Sequence, residues 1–259
     1  MDKPEASTSS KVLGTDMTTG LQFKCEDLPS MLVPRNQFSL VFRSLNQHEF
    51  ELFAIGGVDE GLQAHAGSSL AIERYSSRTK SWELVNLKVS PAQESNEHGR
   101  PCLVDYVRSL RGHQSVLLPD GSILIIGGKL PASFPTKDAQ PTEHALRYQS
   151  GVVRFDLQTS TLSSNELPPM NQARGFFTAV LTQSLRYIYV IGGLTDRPAS
   201  QAQHNKSTDI RDRKNQIDLN RQNAKTDVAI DSIEKFDTFS QKWQLVAPMK
   251  SKRGRHAMC

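Results

Sequence analysis

Cysteine is scarce in this chain. Only Cys25, Cys102 and Cys259 occur among 259 residues, and their number is odd. Their spacing fits no zinc motif, so neither a disulfide framework nor a structural metal is expected to hold the fold. Free thiols in turn suggest a reducing, cytoplasmic setting. Cys259 reads as a buried strand thiol in preference to a reactive terminal one. Long apolar runs are also missing. None approaches the roughly 20 residues that cross a bilayer as a helix, so no membrane partner is expected. The first ten residues have no apolar core, so no secretory leader is expected either. Charge of one sign never accumulates: the net charge is +4, with 31 Lys and Arg against 27 Asp and Glu. No run of five like charges occurs, so nucleic acid is not an expected partner. Seven histidines are present, and none pairs with Cys or a carboxylate at metal-ligand spacing. A Gly-x-Ser-x-Gly elbow is absent too. Catalytic residues, metals and cofactors are therefore all expected to be none.

What the chain has is repetition. From Met170 to Met249 it reads Pro-Met, Arg174, an apolar run Phe176 to Leu181, a short break and a second run Tyr187 to Ile191. Gly192-Gly193 follow, then a long polar insertion, Ile233 to Phe236, Trp243 and Pro248-Met249. Two apolar runs split by a tight break and stopped by a diglycine predict one antiparallel sheet of four strands. Such a sheet cannot bury both faces alone and needs copies of itself. Two further copies are visible. Their second strands end at Gly56-Gly57 and Gly127-Gly128, and their third strands end at the aromatics Tyr75 and Phe155, as the last copy's ends at Phe236. Trp82, Leu162 and Trp243 stand seven residues after those aromatics, so the middle copy lacks the Trp. Arg35, Arg174 and Arg253 each follow a Pro-Met-type segment by four residues, whereas the middle copy carries Leu110 there with Arg111 beside it. The diglycines sit where an inner strand leaves the sheet and where neighbouring backbone must come close.

The pattern of Pro-Met, Arg, apolar run, Gly-Gly, aromatic and Trp resembles the kelch repeat. The resemblance covers about residues 25–259 and implies an all-β fold, a β-propeller whose blades are four-stranded sheets. Blades are expected at about 38–87, 113–167 and 176–249, with partial strands at 25–31 and 253–259 and a disordered polar tail at 1–24. Because the chain stops inside an expected strand, it reads as a partial propeller, a piece of a longer, six-bladed array. A dimer of two three-bladed arrays is the alternative, and open sheet faces would favour self-association.

Long insertions fall after the second strands, at 58–69, 129–150 and 194–231, and between blades at 88–108. In an up-and-down sheet these loops share one side, where rigid scaffolds usually carry recognition. The stretch 197–231 reads as a tolerated low-complexity insertion, mobile and dispensable. His113 and His256 occupy the place of Phe38 and Phe177 and read as packing residues. The resemblance further implies that residues two past the repeat Arg face the channel mouth. Gln37, Phe176 and Arg255 hold those places. Arg255 is the candidate for a charge-assisted contact with an acidic partner, and Gln37 and Arg111 are lesser candidates. The expected function is a non-catalytic protein–protein interaction module binding through one face. The alternative, drawn from the same family, is a fragment of a carbohydrate-active propeller enzyme of the galactose-oxidase or sialic-acid-epimerase kind.

Overall fold

A computed structural model describes residues 11–15, 22–25, 27–58, 71–90, 102–131, 147–164, 167–196 and 227–256. Among these, nearly everything regular is β-strand. A hairpin comes first, β1 (Lys11–Thr15) with β2 (Gln22–Cys25). The first sheet holds β3 (Ser39–Ser44), β4 (Phe50–Ile55), β5 (Ile72–Ser76) and β6 (Ser81–Leu84), each antiparallel to the next. After it come β7 (Lys88–Val89) and a single helix, α1 (Leu103–Ser109). The middle sheet takes β8 (Gln114–Leu117) and β9 (Ser122–Ile126). A ribbon of β10 (Lys129–Leu130) and β11 (Arg147–Tyr148) follows, before β12 (Val152–Asp156) and β13 (Thr161–Ser163) finish that sheet. The third sheet repeats the plan with β14 (Thr178–Leu181) and β15 (Tyr187–Ile191), then a ribbon of β16 (Leu194–Asp196) and β17 (Asp227–Ala229). It closes with β18 (Ile233–Asp237) and β19 (Lys242–Val246). Four-stranded antiparallel sheets in series are the arrangement of β-propeller blades.

The strands alternate because each sheet is covered on its faces by its neighbours. Val41, Phe53, Ile55 and Ile72 of the first sheet meet Ile123, Ile125, Val153 and Phe155 of the middle one. The Phe53 and Phe155 rings meet edge-on at 6.4 Å. The middle sheet's other face, with Val116, Leu124, Ile126 and Val152, meets Phe177, Ile188, Val190 and Phe236 of the third. Three sheets thus enclose two apolar layers, and full burial of each aliphatic chain contributes about 1.5–3 kcal/mol.

In the first and third sheets the repeat Arg is a buried strut. Arg35 donates to the carboxylate of Glu73 and to the Gly56 carbonyl. Arg174 donates to Glu234 at 2.7 Å and to the Gly192 and Ser232 carbonyls. Glu234 also accepts from the Asn171 and Gln172 backbone N–H groups, so its charge is fully engaged. Each Trp indole donates to the carbonyl of a proline preceding its own sheet, Trp82 to Pro29 and Trp243 to Pro168. The middle sheet replaces all these parts together. Leu110 and Val153 stand where Arg and Glu pair, and both lie in the apolar layer. Leu162 stands for Trp and is fully buried in that same layer. The edge of β13 is covered by β7, which pairs parallel to it as a fifth strand, and α1 packs against both.

Several expectations need correction. Residues 11–15 and 22–24 form hairpin strands where a disordered tail was expected, and 27–31 has no strand. The 88–108 connection is not simply a loop, since it carries β7 and most of α1. The insertions at 129–150 and 194–231 begin and end in ribbons, so 227–231 is built into the structure: Asp231 accepts the Met249 N–H at 2.9 Å, and Ile230 bridges to Arg253. Arg253 itself lies exposed in an isolated bridge, not in a strand. Residues 59–70, 132–146, 197–226 and 257–259 lie outside the described residues, as do most of the expected loop at 58–69 and the Cys259 thiol.

Candidate functional site

The lead-ins to β3, β8 and β14, and the matching segment after β19, each pass through one residue with left-handed backbone: Gln37 (φ 54°), Gly112 (φ 61°), Phe176 (φ 55°) and Arg255 (φ 57°). Three of the four are not glycine, and such a conformation costs a residue with a side chain free energy. A chain of backbone bonds offsets that cost. Gly112 N–H donates to the Gln37 carbonyl (2.8 Å), Phe176 N–H to Gly112 (2.6 Å), and Arg255 N–H to Phe176 (2.7 Å). Consecutive lead-ins are thereby linked, and the side chains of Gln37, Phe176 and Arg255 are brought into one arc with Gly112.

The diglycines make the second set of joints. Gly57, Gly128 and Gly193 donate their N–H groups to the carbonyls of Leu110, Arg174 and Arg253 in the following lead-in, at 2.8, 2.8 and 2.7 Å. The first glycine of each pair leaves room for that carbonyl. A Cβ on Gly127 would lie 2.7 Å from the Arg174 oxygen, and one on Gly192 would lie 2.6 Å from the Arg253 oxygen. His113 and His256 sit over Gly56 and Gly192 as Phe177 sits over Gly127. His113 is fully buried, and burial draws its pKa down to about 4, so the ring is neutral.

On the arc, the Arg255 guanidinium lies over the Phe176 ring, 5.1 Å from its centroid, and Arg255 is exposed. Beside it the two ribbons are clasped. Lys129 Nζ of β10 donates to Asp227 Oδ1 of β17 at 2.6 Å and lies 4.6 Å from the centroid of the Tyr148 ring. Tyr148 N–H donates to Asp196 of β16 at 3.3 Å. Burial first, then the Asp227 charge, holds the Tyr148 phenol well above its ordinary pKa, so it remains a hydrogen-bond donor. The sides of this site are therefore aromatic, and its charged groups are Lys129 and Arg255 against Asp196 and Asp227. Such a set can hold a polar or acidic group, while among the described residues no cluster fit for a metal ion occurs.

The predicted candidates fare differently. Gln37 and Arg255 stand on the arc with Phe176. Arg111 does not: Gly112 takes the arc position, and Arg111 stands one residue before it, its backbone paired with Lys129. Lys129, Tyr148, Asp196 and Asp227 were not among the candidates. They lie inside insertions with no counterpart in the other copies, so repeat alignment gave them no weight. A groove of about 430 Å³ lined by Tyr187, Lys235, Lys242 and Trp243 lies elsewhere, toward the outer strands of the third sheet.

No protein-family model matches the chain, and no curated protein matches it in sequence. Solved structures match in fold. One of them, "Structure of YjhT", is 14% identical, with a TM-score of 0.50, over 86% of this chain and 53% of that one. The likeness is one of fold, and the chain spans about half the length of that neighbour.

Proposed function

We propose that the chain is a kelch-type β-propeller segment that works without catalysis, binding an acidic segment of another protein at the arc formed by Gln37, Gly112, Phe176 and Arg255. The observation that carries this reading is Arg255, an exposed guanidinium held over Phe176 and fixed by its own backbone bond. A cation pre-placed on an aromatic face loses little freedom on binding and can give a carboxylate two parallel hydrogen bonds. The clasped ribbons beside it bring the bases of two long insertions together, which suits a broad recognition face. The setting we infer is cytoplasmic, from the scarcity of cysteine.

Arg255→Gln tests the reading. Gln37 shows that glutamine takes the same left-handed backbone at the equivalent position, so the fold is expected to stand. Binding to an array of acidic peptides, followed by fluorescence anisotropy, should weaken at least about tenfold and lose salt dependence. Unchanged binding in the variant would overturn the site. Turnover on a carbohydrate panel by the wild-type chain would overturn the non-catalytic reading.

A further inference from the structure

The outward faces of the first and third sheets are complementary, and the molecule itself shows how. In the third sheet, Val180, Tyr189, Ile191 and Ile233 occupy the register positions of Val41, Phe53, Ile55 and Ile72 in the first sheet and Val116, Leu124, Ile126 and Val152 in the middle one. All eight equivalents are buried, each covered by the sheet that follows. The third sheet's set is less covered: Val180 is 38% exposed, against 5% for Val41 and 7% for Val116, and Tyr189, Ile191 and Ile233 are only half-buried. The first sheet shows the converse. Phe42 and Leu52 hold the positions of Leu117 and Ile123, and of Leu181 and Ile188, which pack on the sheet before them. Phe42 is 58% exposed, and Leu52 is only half-buried where Ile123 and Ile188 are fully covered. Each open face is thus of the kind that the other kind of face covers twice within the same molecule.

We propose that the chain associates head to tail with a second copy, the first sheet of each copy covering the third sheet of the other. Such a contact uses two different patches and closes when the rotation between copies is a half-turn. Closed arrays of such sheets hold typically four to eight. Three sheets from each of two copies fall within that range. The corner at Gly192–Gly193 is already filled by Arg253 and His256, so the contact runs from Val180 and Tyr189 outward.

Light scattering on the whole chain across the micromolar range tests this. The mass should rise from one copy to two and stop there. Phe42→Asp alters one patch and Val180→Asp the other. Each variant alone should remain a monomer, and an equimolar mixture should form a one-to-one pair through the single intact contact. Phe42→Ser and Val180→Ser replace either aspartate variant whose circular dichroism melt departs from wild type. Four outcomes would overturn the proposal: a wild-type monomer throughout, growth beyond two copies, a Val180 variant that still pairs with itself, or a mixture that stays monomeric while wild type pairs.

Discussion

His113 shows what a single side chain costs in this fold. It fills the place of Phe38 and Phe177, a position that the repeats mark as packing, yet it brings two ring nitrogens into an apolar layer. Unfolded, it titrates near its ordinary value of about 6.5; folded, its pKa is about 4. Because the folded value is depressed, this stability is complete above about 6.5 and is lost as pH falls toward about 4, to a total of about 3 kcal/mol. His113→Phe should remove that share of the acid sensitivity, as read by urea melts across the same window. An unchanged slope would mean that the ring is protonated in the folded state. Arg174 and Glu234 make the complementary case. The middle copy shows that this paired charge can be written as Leu110 and Val153 instead. Arg174→Leu alone should cost about 3–5 kcal/mol, because it strands a buried carboxylate. Adding Glu234→Val should recover part of that loss, though not all, since the Asn171 and Gln172 amides lose their acceptor. Strict additivity of the two changes in denaturant titrations would refute the coupling. The paired change was visible in the sequence, where Arg and Glu vanish from the same copy, but only by reading two distant columns together.

At the scale of elements, the twelve strands that recur four to a sheet were legible because each repeats a pattern found twice elsewhere. The pieces that were not legible have no second copy. Lys88–Val89 is too short for any periodicity and becomes a strand only by pairing with β13, about 70 residues away. Helix α1 carried a weak signal in Leu103, Val107 and Leu110, whose spacing places them on one face. Without a side-chain cap, it depends on packing against β7 and β13. The ribbons fell within stretches read as polar insertion. Their pairing sets the limits of any deletion. Replacing residues 199–224 by a short Gly-Ser linker should leave the melting temperature nearly unchanged, since Leu194–Asp196 and Asp227–Ala229 already pair with each other. Extending the cut through 231 would remove the acceptor of Met249 and should lower it clearly. A large loss from the shorter cut would show that the insertion packs on the sheets. The half-buried tryptophans, marked in the sequence by their spacing from Tyr75 and Phe236, are fasteners for the proline segment ahead of each sheet.

Across the whole molecule, the arc of left-handed residues separates the setting of backbone geometry from the choice of side chain. Its geometry is written in peptide groups: Gly112 and Phe176 each give one N–H backwards and offer one carbonyl forwards, with the Gln37 carbonyl at one end and the Arg255 N–H at the other. The side chain takes no part, which is why glutamine, glycine, phenylalanine and arginine all occupy the same station. A surface organised this way can change its chemical vocabulary one letter at a time without renegotiating its grammar. For an engineer it is a row of addressable sockets. Any residue that accepts the turn can be plugged in, and new specificity can be sought there while the scaffold is left alone.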